Sequence, residues 1–92
     1  MLQGKLIIRN VNVDGLRTSV RLEQASWLAL DQIAQVENIS LHQLCTMIDS
    51  FRSDGSGRTS MMRAFIVSYF RNAANGTAMK AGMAHAILSQ SE

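Results

Sequence analysis

From Lys5 to Leu22 the chain reads as two strands around a turn. Lys5–Val13 is rich in apolar and β-branched residues, Asp14-Gly15 follows, and from Leu16 to Leu22 apolar or Thr positions alternate strictly with polar ones. Asp-Gly suits a two-residue type I′ turn, because both central residues need φ > 0, which Gly adopts freely and Asp tolerates. Such a turn fixes the register. It sets Val13 opposite Leu16, Asn12 opposite Arg17, Val11 opposite Thr18, Asn10 opposite Ser19, Arg9 opposite Val20, Ile8 opposite Arg21 and Ile7 opposite Leu22. One face then carries Ile7, Val11, Val13, Leu16, Thr18, Val20 and Leu22, with Arg9 out of place. The other carries Asn10, Asn12, Arg17, Ser19 and Arg21, with Ile8 as the exception.

After the hairpin the period changes from two to between three and four. Trp27, Leu30, Ile33 and Ala34 predict a helix from Trp27 to about Glu37, closed by Asn38 in the left-handed conformation. Ser40-x-x-Gln43 has the form of a capping box, which starts a second helix with Leu41, Leu44, Cys45, Ile48 and Phe51 on one stripe, ending near Asp54. Gly55-Ser56-Gly57 reads as a linker. A third helix is predicted from about Ser60 to Ala74, capped by Thr59 or Ser60, with Met62, Phe65, Ile66, Tyr69, Phe70 and Ala73 on one face and a stop at Asn75-Gly76. The stretch 75–92 has no strong stripe and reads as a frayed helix or a disordered tail, so the domain is drawn at 1–74.

Composition narrows the class. With 92 residues, 47% of them hydrophobic, the chain builds one small core and not two. Charged residues, at 17%, lie below the globular average of about 25%, which points to surface covered by self-association. A single cysteine allows no internal disulfide, and no apolar run of about 18 residues is present to span a bilayer. Met1 to Lys5 shows no secretory signal, so a reduced cytoplasm is the expected compartment. The charge is uneven. Residues 1–22 hold Lys5, Arg9, Arg17 and Arg21 against Asp14, a net +3; residues 23–54 hold Arg52 against Glu23, Asp31, Glu37, Asp49 and Asp54, a net −4; the remainder is again +3. A basic hairpin beside an acidic middle is a first pointer to a polyanion, although a solvated basic face is the plainer reading of three excess charges.

Catalytic chemistry finds little to work with. His42 and His85 stand far apart in sequence and belong to no cluster with metal-ligand spacing, so no metal and no cofactor are expected. Asp49 and Arg52 read as a surface ion pair. Cys45 falls on an apolar stripe where burial raises its pKa and blunts it as a nucleophile. Gly55-Ser56-Gly57-Arg58 lacks the Lys-Ser/Thr ending of a phosphate loop. Met61, Met62, Met79 and Met83 could line a groove, but packing is the simpler role for Met61 and Met62. The chain is expected not to be an enzyme.

The segment Arg17-Thr18-Ser19-Val20-Arg21-Leu22-Glu23, followed by Trp27 with Ile33-Ala34, by Ile39-Ser40-Leu41, by Met47-Ile48-Asp49 and by Ser60-Met61-Met62-Arg63-Ala64-Phe65, resembles the ribbon-helix-helix family of DNA-binding proteins, the fold class of the Arc and MetJ repressors. Within that family it is most similar to an alphaproteobacterial-type branch. Two positions depart from the pattern: Gln24 stands where the branch often has Pro, and Asn38 where the family usually has Gly.

The resemblance implies an α+β fold, a ribbon-helix-helix dimer with an added N-terminal strand and a third helix. It implies a homodimeric, sequence-specific transcriptional regulator, read as a repressor, that inserts a β-ribbon into the major groove of double-stranded DNA. Arg17, Ser19 and Arg21 would contact bases. Ser40, Leu41 and His42 at the start of the second helix would hold a phosphate; the strand Lys5–Val13 lies outside the minimal family motif, and if it flanks the ribbon and bends away, Lys5 and Arg9 are expected to approach phosphates as well. Leu16, Thr18, Val20, Leu22, Trp27, Leu44 and Ile48 would form the dimer core. A cytoplasmic, nucleoid-associated location follows, with no membrane partner and with higher-order assembly on DNA left open. Two alternatives stand beside this reading: an antitoxin-like module whose residues 75–92 also hold a protein partner, and a structural dimer that has lost DNA binding.

Overall fold

The computed structural model describes residues 5–53, 55–75 and 80–90. Strand β1 (Leu6–Val13) and strand β2 (Leu16–Glu23) pair antiparallel in the register set out above, extended by one further pair, Leu6 with Glu23. Asp14 and Gly15 take φ of 53° and 81°, the two positive values of a type I′ turn. Gly holds the second position without the strain that any side chain would meet there, and the turn therefore sets which residues face the core.

Helix α1 (Gln24–Glu37) begins directly at the end of β2, three residues before the first residue of the apolar stripe, because Gln24, Ala25 and Ser26 are mostly solvent-facing and leave no hydrophobic signal. Asn38 closes it at φ 60°, with its own N–H on the Gln35 carbonyl at 3.2 Å and the Ile39 N–H on the Ala34 carbonyl at 3.1 Å, a Schellman motif. Asn therefore does here what Gly usually does. Helix α2 (Leu41–Ser50) starts at the capping box: Ser40 Oγ accepts from the Gln43 N–H at 3.0 Å, and Gln43 Oε1 accepts from the Ser40 N–H at 2.8 Å. It stops at Phe51, earlier than the stripe suggested, and Asp54 lies outside the described residues.

Helix α3 (Arg58–Ala74) starts behind Gly57 with no side-chain cap, so Thr59 and Ser60 lie inside its first turn. Gly76, expected to follow its end, lies outside the described residues. Within the stretch expected to be a frayed or disordered tail, Met83–Ser89 forms a short helix, α4, with Ala84, Ile87 and Leu88 buried. What holds it is a carboxylate. Glu37, 7% exposed, accepts hydrogen bonds from Tyr69 Oη at 2.9 Å, from the Gly82 N–H at 2.9 Å and from the Ala84 N–H at 3.0 Å. Burial, with the hydrogen bond to Glu37 second and its charge third, pushes the Tyr69 phenol well above its ordinary range and keeps it a donor.

The inner face of the hairpin lies on the helices, with α2 against β1, α3 against α1, α2 and β2, and α4 against α1 and α3. Val11, Val20, Leu22, Trp27, Leu30, Ile33, Leu44, Ile48 and Met62 meet in one core. Every buried side-chain polar atom among the described residues has a partner.

Candidate nucleic-acid interface

The hairpin turns three cross-strand pairs away from the helices: Ile8 with Arg21, Asn10 with Ser19, and Asn12 with Arg17, all six exposed. Ser19 Oγ donates to Asn10 Oδ1 at 2.7 Å, which leaves the Asn10 amide N–H groups facing out. The arginines on this face differ from most others in the chain. Arg9 pairs with Asp31 at 3.0 Å, Arg52 and Arg58 share Asp49 at 3.0 and 2.9 Å, and Arg63 pairs with Glu23 at 3.1 Å. Arg17 and Arg21 have no carboxylate within reach among the described residues, a state they share with Lys5, Arg71 and Lys80. Two guanidinium groups thus stand free on a two-stranded ribbon, about 13 Å apart along β2 at roughly 3.3 Å per residue.

Arg9 does not join them. It occupies the inner face, as the register requires, where both terminal nitrogens donate to the Asp31 carboxylate at 3.0 and 3.1 Å and the guanidinium stacks 4.9 Å from the Trp27 ring centre. At this position the side chain is engaged in a structural contact, because a charge on the inner face of the strand finds its partner in the adjoining helix. Trp27 completes the clamp by donating Nε1–H to the Ile7 carbonyl at 2.9 Å. Lys5 is exposed just before β1.

At the turn end, α2 grips the outer edge of β1. The Asn12 N–H donates to His42 Nδ1 at 3.0 Å, the Asp14 N–H to Thr46 Oγ1 at 3.0 Å, and Thr46 Oγ1 donates back to the Asn12 carbonyl at 3.4 Å. Because Nδ1 accepts, the proton of a neutral His42 ring sits on Nε2, where it can be donated outward. Ser40 Oγ is occupied by the cap, so the anion-binding groups left at this helix start are the first two amides, of Leu41 and His42, which have no carbonyl within the helix to bond. An open cleft of about 320 Å³ lies at this end, lined by Asn12 and Gly15 of the hairpin and His42, Gln43, Thr46 and Met47 of α2. Sequence reading missed Thr46 and the His42–Asn12 link, since contacts across 30 residues leave no local pattern.

The ribbon-helix-helix domain profile matches residues 6–70, from the first residue of β1 into α3. The chain belongs to the ribbon-helix-helix family. Among solved structures it is similar to an uncharacterized protein from Bordetella pertussis Tohama I, at 30% identity and a TM-score of 0.67 over 78% of this chain. That match covers 61% of the other chain, so the present chain spans about three fifths of its length. No curated protein sequence matches.

Ribbon-helix-helix domains are a DNA-binding, non-enzymatic fold family, and they generally bind DNA as dimers. In this ribbon-helix-helix chain, Val20, Leu22, Trp27, Leu44 and Ile48, assigned above to a dimer core, are each 3% exposed or less within one chain. Within the chain β1 packs on α2, α3 on α1, α2 and β2, and α4 on α1 and α3. Thr18 is half-buried, and Leu16 is 72% exposed beside the turn. Cys45 is buried, and burial, followed by the charges of Asp31 and Asp49, pushes its thiol up to about 11. Among the described residues no three His, Cys, Asp or Glu side chains come together as a metal would need. Met61 and Met83 pack against the core, and Met79 lies outside the described residues. No described helix is long and apolar enough to cross a membrane.

Proposed function

We propose that this protein is a sequence-specific DNA-binding regulator of transcription that places the outer face of its β-hairpin in the major groove. The observation that carries this reading is the pair of guanidinium groups, Arg17 and Arg21, without a carboxylate among the described residues, on a ribbon whose other face is fixed to a packed core. B-DNA's major groove, about 12 Å wide, admits a two-stranded ribbon, and a bidentate arginine bond to guanine O6 and N7 discriminates by about 1–3 kcal/mol. Ser19 reads donors or acceptors and adds less. Lys5 and the amides of Leu41 and His42 hold phosphates and set the register. Repression is the outcome that needs nothing beyond occupancy of the site, and the work is done at the nucleoid in the cytoplasm.

The test is selection of bound sequences from random duplexes, followed by titration of the Arg17→Ala, Arg21→Ala double variant. Specific affinity is expected to fall by about 2–6 kcal/mol if each contact contributes its full range, while the thermal midpoint stays unchanged. A double variant that binds the selected duplex as well as the natural chain does would exclude the hairpin as the reading element.

A further inference from the structure

A serine hydroxyl that is free to rotate offers a base edge either its proton or its lone pairs, so by itself it separates the four bases weakly. On this hairpin the rotation is stopped. We propose that Asn10 of β1 is a positioning residue that holds Ser19 as a hydrogen-bond acceptor, so that Ser19 selects a base with an exocyclic amino group, adenine or cytosine, at one position of each half-site. This rests on the regulator reading above. Asn10 and Ser19 belong to the same hairpin, so each copy in a dimer, the state in which the family generally binds DNA, carries the pair once.

The first support is the bond itself. Ser19 Oγ stands 2.7 Å from Asn10 Oδ1, the usual length of an O–H···O bond and shorter than most N–H···O bonds. The hydroxyl proton therefore lies between the two oxygens. What Ser19 has left for a base is its lone pairs.

The second is the strand pairing that brings the two side chains together. The Asn12 N–H donates to His42 at 3.0 Å and the Asn12 carbonyl accepts from Thr46 at 3.4 Å, so both face α2 rather than β2. Asn12 and Arg17 are thus a non-hydrogen-bonded pair of the ladder, and alternation makes Asn10 and Ser19, one step of two residues further on, the same kind. Side chains approach most closely in such pairs.

The third is that β1 is fastened on either side of Asn10. Arg9 donates to Asp31 at 3.0 and 3.1 Å, and Asn12 is tied to His42. The acceptor oxygen is therefore delivered to Ser19 from a held backbone. The consequence lies in the groove: adenine N6 and cytosine N4 carry protons that the Ser19 lone pairs accept, whereas guanine O6 and N7 and thymine O4 are themselves acceptors and meet Oγ with no proton between them. A pair that only steadied the sheet would act on every base position alike. One that sets the sense of a hydroxyl acts on the single position that hydroxyl meets.

The experiment selects bound sequences from randomised duplexes with the full chain, and repeats the selection with Asn10→Ala, Ser19→Ala, the double variant and Asn10→Asp. Adenine or cytosine is expected at a position between those that Arg17→Ala and Arg21→Ala relax. Asn10→Ala is expected to relax that position by about 2- to 12-fold, the range of one net hydrogen bond, and to leave the others unchanged. The double variant should relax it no further than Ser19→Ala does, because Asn10 acts through that hydroxyl. Asn10→Asp keeps an acceptor oxygen and so should keep the preference, while its charge weakens binding to all duplexes. Guanine or thymine at that position, a preference that survives Asn10→Ala, equal weakening at every position, or a double variant that shows the product of the two single effects would each overturn the inference and leave the regulator reading in place. Absence of selective binding by the natural chain to any duplex would overturn both.

Discussion

Arginines do opposite work on the two sides of this molecule. On the helical side Arg9, Arg52, Arg58 and Arg63 each meet a carboxylate at 2.9–3.1 Å and tie one element to the next: β1 to α1, the end of α2 to the loop and to α3, and α3 to the junction of β2 and α1. On the outer face of the hairpin Arg17 and Arg21 meet none among the described residues. The same side chain is a fastening where a carboxylate lies across from it, and on the outer face of the ribbon it is left open to solvent. What separates the cases is the strand period of two, which sends Arg9 inward and its neighbours outward.

The largest test of that division is to put one charge on each face. Val20→Asp places an unpartnered carboxylate in the core and is expected to cost about 4 kcal/mol or more, leaving the chain unfolded in thermal melts. Ser19→Asp, one residue away on the outer face, is expected to stay within about 0.5 kcal/mol of the natural stability and to abolish DNA binding by repelling phosphates. Equal stability of the two variants would erase the distinction between the faces.

Next in size is the Glu37 latch. Glu37→Ala strands the Tyr69 hydroxyl and the Gly82 and Ala84 amides, and loss of about 2–4 kcal/mol is expected, at roughly 1–3 kcal/mol for each donor that water does not recover. Hydrogen exchange should rise first in α4, since its remaining hold is apolar packing of seven residues.

Arg9→Ala removes a half-exposed ion pair and a contact with Trp27, together about 1–2 kcal/mol, with little change in DNA affinity. A large loss of affinity with no loss of stability would return Arg9 to the DNA-contacting set. The smallest effect is set by pH. The hydrogen bond from Arg63 holds the Glu23 carboxyl below its ordinary 4.5. Its folded value being depressed, the pair stabilises the fold above pH 4.5, and that contribution is lost as pH falls through the folded value. Acid unfolding curves of Arg63→Ala should lack this component below about pH 4.5 and match the natural chain's slope above it.

Much of the local structure can be read from the order of residues: the type I′ turn at Asp14-Gly15, the register and faces that follow from it, the left-handed close at Asn38, the capping box at Ser40, and the outward position of Arg17 and Arg21. Those depend on neighbours within a few residues, so dihedral preferences and periodicity carry them. Folding had to bring distant surfaces together before Arg9 could belong to Asp31 and Trp27, before His42 and Thr46 could hold the edge of β1, and before Glu37 could capture α4. The same holds for one chain's covering its own core. Most of these links join residues about twenty or more apart, and such pairings are set by which surfaces meet when the chain folds, which no spacing along the chain encodes.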